Sequence, residues 1–523
     1  MPHSYCGAVL QGGIIMITFK QNNEITYDDK ELMEENSFIG AEIDTTPLPV
    51  YNEVKASLPQ PIWENHKDYI DCYWKAWEIA FRNLRQPKEN TGFVTNYIDA
   101  AFNGCIFMWD SAFMLMFGKY ADRIFNFQKT FDNFYSHQHV DGFICRQIEE
   151  ETGNDIFARH DPASTGPEVM TWCEWEYYLN FGDKDRLARV FPCLVAYHQW
   201  MQEHFTWRDG TYFSSGYGCG MDNCPRLDEK YHVCYSHGHM VWVDACMQEL
   251  NACNLLIKMA NELGREEFIP ELQAESDHLF KVINEKLWDN ETKFYYDLKN
   301  DDTFNGVKHI GAFWALLAKC LPESRAEDFI AHLNNENEFK TDHRVPTLSK
   351  DHPEYNPKGG YWCGSVWAPT NYMVLKGLDA YGKYDMSYEI ACTNLDFAVE
   401  VFKDTDTLFE NYSPEYHDGK ALRGSSSLPD FVGWTGLIPI SVMFEYVFGI
   451  KPDASNNKIT WHINLTDKHG IEKYPFGTEG ELTLICEKRN SEEEKPQIKI
   501  ESNIPVTVEI IWNKGKNTET VNL

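Results

Sequence analysis

The spacing of apolar residues changes once along this chain, and that change constrains the fold more than any other feature. From about residue 61 to 449 the spacing is helical. Tyr120, Ile124, Phe127, Phe131 and Phe134 recur every three or four residues. So do Val243, Cys246, Leu250, Cys253, Ile257 and Ala260, with Gly264 placed as a C-cap. Beyond "KPDASNN" (451–457) the period falls to two: Ile459, Trp461, Ile463 and Leu465, then Leu482, Leu484 and Cys486, then Val506, Val508 and Ile510. A period of two belongs to strands with one buried face. The spacing therefore predicts a large helical domain over 61–450 and a small antiparallel β domain over 451–523. Residues 1–60 form an N-terminal extension, with a strand in "MPHSYCGAVLQGGIIMITFK" and a proline-rich, extended lead-in.

Several helical segments are apolar nearly all round, such as "GAFWALLAKCL" and "GLIPISVMFEYVFG". Such helices are buried by others on both sides. No sequence unit repeats at a fixed period, which disfavours a solenoid. The expectation is an all-α (α/α)6 barrel, a closed double ring whose loops gather at its ends and shape a pocket at one of them.

The formal charge of −33 repels phosphate backbones and anionic lipid, so neither nucleic acid nor membrane is an expected partner. A neutral small molecule fits better. The 15 cysteines are an odd number without framework spacing, as buried thiols in a reducing compartment would be. The N-terminus lacks a basic segment and an A-x-A site, and no apolar run reaches about 20 residues. A cytoplasmic location is expected.

Residues able to do chemistry concentrate in four loops: "FMWDSAF" (107–113), "GYGCGMDNCPR" (216–226), "GGYWCGSVWAPTNY" (359–372) and "FENYSPEYHDG" (409–419). Each joins a carboxylate or a small-residue turn to aromatic rings. Ring faces cover the C–H patches of sugars and acids grip their hydroxyls; the same residues also serve as core fillers and helix caps, Asp110 among them. The glycine-rich second loop admits three readings. Cys219 and Cys224 lack a second pair at knuckle spacing, and the His pairs of "SHGH" and "SHQH" would point to different helix faces, so no metal is expected. There is no G-x-x-x-x-G-K-[ST], so no phosphate cradle and no cofactor is expected. What remains is a loop delivering Asp222 to a pocket. Glycoside hydrolysis needs a second carboxyl opposite the first, and both can sit on loops at one end of a helical ring.

Together these loops resemble the (α/α)6 inverting glycosidases of glycoside hydrolase family 63 and the mannosylglycerate-hydrolase-like proteins. "GMDNCPR" resembles that family's G-x-D-(N/D)-S-P-R, and "FENYSPE" its (W/F)-E-N-Y-N-P-E. "GGYWCGSVWAPTNYMVLKGL" looks like YWRGPVWPPTNYLVLRGL, "FVGWTGL" (431–437) like F-x-W-(S/T)-G-L, and "MWDSAF" like a sugar-gripping Trp-Asp loop. The resemblance implies Asp222 as general acid and Glu410 as general base. It implies Trp109, Asp110, Arg146, Asn223, Arg226, Trp362, Trp367 and Trp434 as sugar-binding residues. Cys224 replaces a family serine, Cys363 an arginine and Ser365 a proline, which bears on the substrate rather than on the acid–base pair. The implied activity is exo-hydrolysis of an α-linked glycoside, of the α-glucosidase type. A phosphorylase or epimerase on the same ring, with His237 and His239 as the epimerase pair, and a non-catalytic carbohydrate-binding protein are the alternatives.

Overall fold

The computed structural model describes residues 36–415 and 427–523; the strand expected near the N-terminus lies outside them. The principal helices are α1 (Lys67–Arg82), α2 (Met108–Gly118), α3 (Thr130–Ser136), α4 (Met170–Phe181), α5 (Lys184–His204), α6 (Val243–Leu263), α7 (Ile269–Lys286), α8 (Glu323–Ala331), α9 (Ala368–Ala380) and α10 (Tyr384–Thr405). A last, wide-wound helix spans Ile438–Val447, with Phe448 N–H bonded to the Met443 carbonyl five residues back.

Local signals set most boundaries. Glycines 182 and 264 close α4 and α6 in the left-handed conformation, and Asp183 caps α5 by accepting from Arg186 N–H at 2.9 Å. The Tyr120–Phe134 spacing does not give one helix. Asn126 accepts from Lys129 N–H at 3.1 Å and starts a new one, so the chain turns between Ala121 and Phe127. "GAFWALLAKCL" is likewise a single tight turn ending at Leu317.

Burial separates two sets of helices. All eleven residues of α2 and all ten of Ile438–Val447 are buried, whereas α7 buries one face, through Leu272, Ser276, Leu279, Val282 and Ile283. The deeply buried elements touch in chain order: α2 on α4, α4 on α6, α6 on the turn Trp314–Leu317, and that turn on α9. The turn Thr435–Leu437 then meets both α9 and α2. Outside them, α5 and α7 lie on α6, α10 on α9, and α1 on α10.

The C-terminal strands form two four-stranded sheets, not one antiparallel sheet. Their strands are β1 (Gln60–Trp63), β2 (Ile450–Asp453), β3 (Lys458–Ile463), β4 (His469–Phe476), β5 (Gly480–Cys486), β6 (Ile498–Ser502), β7 (Thr507–Trp512) and β8 (Asn517–Asn522). One sheet has the order β1-β4-β5-β6 and the other β8-β7-β3-β2, with β3 and β7 parallel. Two expectations are corrected. The supposed linker "KPDASNN" begins within β2, and the proline-rich lead-in ends in β1, where Pro61 stands opposite Ile471.

Where α2, α4, α9 and the last helix converge, four charges are buried together. Lys376 Nζ lies 2.7 Å from Glu176 and 2.8 Å from Glu445, and Lys119 Nζ lies 3.0 Å from Glu445. Tyr120 and Tyr372 hydroxyls each donate to Glu445 at 2.8 Å. Burial alone would raise the Glu445 carboxyl, but the two lysines outweigh it and hold the group well below the carboxylate range. Removing one partner of such a cluster leaves a buried charge uncompensated. Glu445→Gln is expected to destabilise the protein by roughly 3–5 kcal/mol, read as a lowered urea midpoint.

Candidate active site

A cavity of about 820 Å³ opens where the four loops meet. Its floor is the start of α2, with Trp109 and Asp110 in the first turn. Asp110 does not cap the helix: the cap position is Phe107 and no side chain caps it. The two-strand ladder Cys105–Phe107 with Gln147–Glu149 sets the neighbouring Arg146 in place, Met108 N–H donating to the Arg146 carbonyl at 2.8 Å. The Arg146 guanidinium lies over the rings of Phe157 and Tyr217, 5.1 and 5.0 Å from their centroids, and donates to the Tyr217 carbonyl.

Asp222 reaches the cavity on a loop that admits no larger side chains. Ser215 caps the short helical turn Gly216–Cys219, and Gly220 leaves it with φ +76°. A Cβ on Gly220 would lie 3.2 Å from the Trp109 indole, and one on Gly216 would lie 2.5 Å from the Asp222 carbonyl. These glycines let the acid loop press directly on the cavity floor.

Glu410 reaches the same cavity from another loop. Tyr361 O–H donates to its Oε1 at 3.1 Å and Leu428 N–H to its Oε2 at 3.3 Å. Trp434 also lines the cavity, and its indole N–H donates to the Glu410 carbonyl at 2.8 Å, so it fixes the backbone that carries Glu410. Burial raises the Asp222 carboxyl to about 6, against an opposing pull from Arg146. Burial raises Glu410 to about 7, the two donors opposing it and the Asp222 charge adding to it. Asp110 is fully enclosed and lifted well above the carboxylate range by burial, Arg146 notwithstanding.

Eight of the ten residues named from sequence line this cavity: Trp109, Asp110, Arg146, Asp222, Asn223, Trp362, Glu410 and Trp434. Two do not. The Arg226 guanidinium is buried behind the loop, with Asp244 at 2.6 Å and Asp297 at 2.6 Å, so its charge is matched inside the fold rather than offered to a ligand. Trp367 lies behind Trp362, the rings stacked 4.0 Å apart at 5°. Asn223 borders the cavity, but its amide latches two loops: Oδ1 accepts from Trp362 N–H at 2.8 Å and Nδ2 donates to the Gly360 carbonyl at 3.2 Å. Cys363, standing at the arginine position of the resembling motif, donates through Sγ to the Asn223 carbonyl.

Tyr361 and Tyr217 line the cavity and were not singled out from sequence, although both sit inside the quoted loop motifs. Aromatic content alone gave no reason to separate them from core tyrosines. His237 meets His239 and Trp207 edge-on, and neither histidine lines the cavity, which removes the epimerase pair. Among the described residues one His/Cys/carboxylate group is compact enough for an ion, His198 with Cys253 and Glu275, and it is remote from these loops.

Three polar atoms facing this region have no hydrogen-bond partner among the described residues: Trp109 Nε1, Asp110 Oδ1 and Arg146 Nε. Buried polar groups are nearly always paired, so these are poised for a polar ligand. With three carboxyls and one guanidinium, the arrangement suits proton transfer around a hydroxyl-rich molecule.

The comparisons with known proteins agree with this chemistry. Residues 106–427 match the family model described as the mannosylglycerate hydrolase MGH1-like glycoside hydrolase domain. An uncharacterized protein of Borreliella burgdorferi is 26% identical over 82% of this chain and 89% of its own length. A mannosylglycerate hydrolase of Thermus thermophilus is 24% identical over 53% of this chain and 81% of its own. The crystal structure of a family 63 mannosylglycerate hydrolase from the same species, in complex with glucose, superposes with a TM-score of 0.55 at 21% identity, over 70% of this chain and 98% of that one. The chain belongs to the mannosylglycerate hydrolase MGH1-like glycoside hydrolase family.

Proposed function

We propose that this glycoside hydrolase removes the terminal sugar of an α-linked glycoside with inversion, Asp222 acting as general acid and Glu410 as general base. The observation that carries the reading is the pair of buried carboxyls, each raised toward neutrality, brought by two different loops to one cavity. Beside them, the unpaired atoms of Trp109, Asp110 and Arg146 suit the hydroxyls of a single sugar ring. The helical contacts support an (α/α)6 barrel: the inner elements touch in chain order and the last returns to the first, with an outer set packed on them. The cavity lies at the end where α2 and α9 begin.

In this mechanism Asp222 gives its proton to the glycosidic oxygen as the bond to the anomeric carbon breaks. Glu410 takes a proton from a water that attacks the same carbon from the opposite face. The products are the free sugar, with its anomeric configuration inverted, and the aglycone alcohol. Release of the Glu410 proton and reprotonation of Asp222 by solvent restore the enzyme. An inverting pair leaves room for water between carboxyls roughly 6.5–9.5 Å apart.

Asp222→Asn and Glu410→Gln are each expected to lower kcat by about 100-fold or more while the free sugar still binds by calorimetry. A loss under about tenfold in either variant would overturn the assignment. Proton NMR of the product, taken before mutarotation, is expected to show the inverted anomer; a retained anomer would make Glu410 a nucleophile. The profile of kcat/KM against pH is expected to be a narrow bell between about 6 and 7. Below about 6 both carboxyls hold protons and no base remains; above about 7 both are ionised and no acid remains.

A further inference from the structure

The cavity has two different halves. Its depth is polar and charged, with Asp110, Asp222, Glu410 and Arg146. Its mouth is apolar: Phe102, Ile156, Tyr235 and Leu428 line it and remain 45, 44, 45 and 40% exposed. Large apolar side chains left this open and gathered at one opening mark a binding surface more often than scattered ones do. They are also held in place. Phe102 stacks on Phe107 at 5.0 Å and 18°, and Tyr235 meets Tyr217 edge-on at 5.1 Å. The partly buried Cys234 thiol lies between the mouth and the acid loop, against the Asp222 carbonyl.

The direction of the substrate follows from the proposed acid–base reading, on which this inference rests. A pocket that takes a terminal sugar at its floor must let the aglycone leave through its mouth. There the described residues offer the aglycone aromatic and aliphatic faces and no basic side chain. Arg146 is the one cation among the described lining residues, and it sits at depth, over Phe157 and Tyr217 and facing Asp110 and Asp222. Asp110, Asp222 and Glu410 surround it, so its charge is directed at the carboxyls of the depth and not at the mouth. The position where the resembling motif has an arginine is Cys363, whose thiol is engaged with Asn223. Phe102 and Tyr235 offer stacking faces, but with Ile156 and Leu428 beside them the mouth has few groups to pair with sugar hydroxyls, chiefly Asn103 and the Tyr235 hydroxyl, so it favours an apolar alcohol over a second sugar.

We propose that the mouth of the cavity is an aglycone subsite for an apolar alcohol, aryl or alkyl, so that the preferred substrates are neutral α-glycosides of such alcohols rather than glycosides of a hydroxy acid or of a second sugar.

The test uses the full chain and four α-glycosides in both the D-gluco and D-manno series: the benzyl glycoside, the D-glycerate glycoside, a disaccharide and the glycosyl fluoride. Benzyl alcohol and the glycerate hydroxyl are alcohols of similar acidity, so the comparison reads recognition rather than leaving-group strength. The fluoride has no aglycone and departs with little acid assistance, so it reads the sugar subsite and the base Glu410 alone. The benzyl glycoside is expected to exceed the glycerate glycoside and the disaccharide in kcat/KM by at least about tenfold, a difference of roughly 1.4 kcal/mol in transition-state binding. In Phe102→Ala and Tyr235→Ala, which alter exposed side chains, the ratio of kcat/KM for benzyl glycoside to that for fluoride is expected to fall at least about fivefold, through KM. A glycerate glycoside or disaccharide cleaved as well as the benzyl glycoside overturns the subsite, and so does an unchanged ratio in both variants. Failure of the acid–base reading looks different: the fluoride too is not turned over, or is turned over equally well after Glu410→Gln.

Discussion

Two lysines and two glutamates at the centre of the helical region set what surrounds them. Lys119, Glu176, Lys376 and Glu445 come from four stretches of chain that converge there, and each charge is matched only when all four are in register. A hydrophobic core tolerates small slips of one helix along another, because apolar contact is not directional. A buried ion cluster does not, because a displaced partner leaves a charge in a medium that cannot solvate it. Tyr120 and Tyr372 tighten the requirement by adding hydroxyls aimed at Glu445. The first turn of α2 and the residues leading into α9, which carry Trp109, Asp110 and Trp362, are thereby fixed against one another although they are far apart in sequence.

A second buried ion cluster does the same for the acid loop. Arg226 pairs with Asp244 in the first turn of α6 and with Asp297 in the loop beyond α7, and its guanidinium lies 4.0 Å from the Trp242 ring centroid. The chain between Gly216 and Arg226 is anchored at that end by two carboxylates. At the other, the Ser215 side chain accepts from Gly218 N–H and donates to the Pro162 carbonyl. Asn223 then ties its middle to the Trp362 loop. The stack of Trp362 on Trp367, with Trp434 tilted against Trp367 at 5.4 Å, carries the connection on to the Glu410 backbone. A glycine-rich stretch that looks mobile in sequence is in this way held at both ends and in the middle.

Periodicity made the helical region and the β region legible, and it failed where local chemistry overrode spacing. Asn126 interrupts a run of well-spaced aromatics because its side chain captures a backbone N–H. β4 escaped notice because "HGIEKYPF" contains a proline and a bulge-like register shift, and β8 because "NTETVN" is a polar edge strand. β1 was unreadable as part of the C-terminal sheets, since nothing in "QPIW" records that its partner lies about 400 residues away. At the site, the loop motifs named the cavity wall with two exceptions of one kind. Arg226 and Trp367 belong to the motifs because they support the residues that face the cavity, and a motif does not distinguish a lining side chain from the one packed behind it. Tyr361 shows the converse: its role is visible only once its hydroxyl is found 3.1 Å from Glu410.

The carboxyls of Asp222 and Glu410 are not equivalent, and the difference lies in their donors. Glu410 receives a phenol O–H on one oxygen and a backbone N–H on the other, and donors of that kind favour the ionised form. No side chain among the described residues donates to the Asp222 carboxyl; what favours its ionised form is its own backbone and the charge of Arg146. Burial raises Glu410 further than Asp222, so in the free enzyme a single proton held by the pair rests more often on Glu410, the reverse of the ordering that the proposed reaction uses. On the proposed reading a bound glycoside reverses that preference. Its bridging oxygen is an acceptor and stabilises a proton on the carboxyl beside it, while a water held against Glu410 is a donor and stabilises the carboxylate there. On the same reading Asp110, which burial lifts well above the carboxylate range, keeps its proton and can both donate to and accept from a sugar hydroxyl. On the proposed reading, the direction of acid and base thus comes from the substrate acting on a site whose Glu410 side already holds the donors.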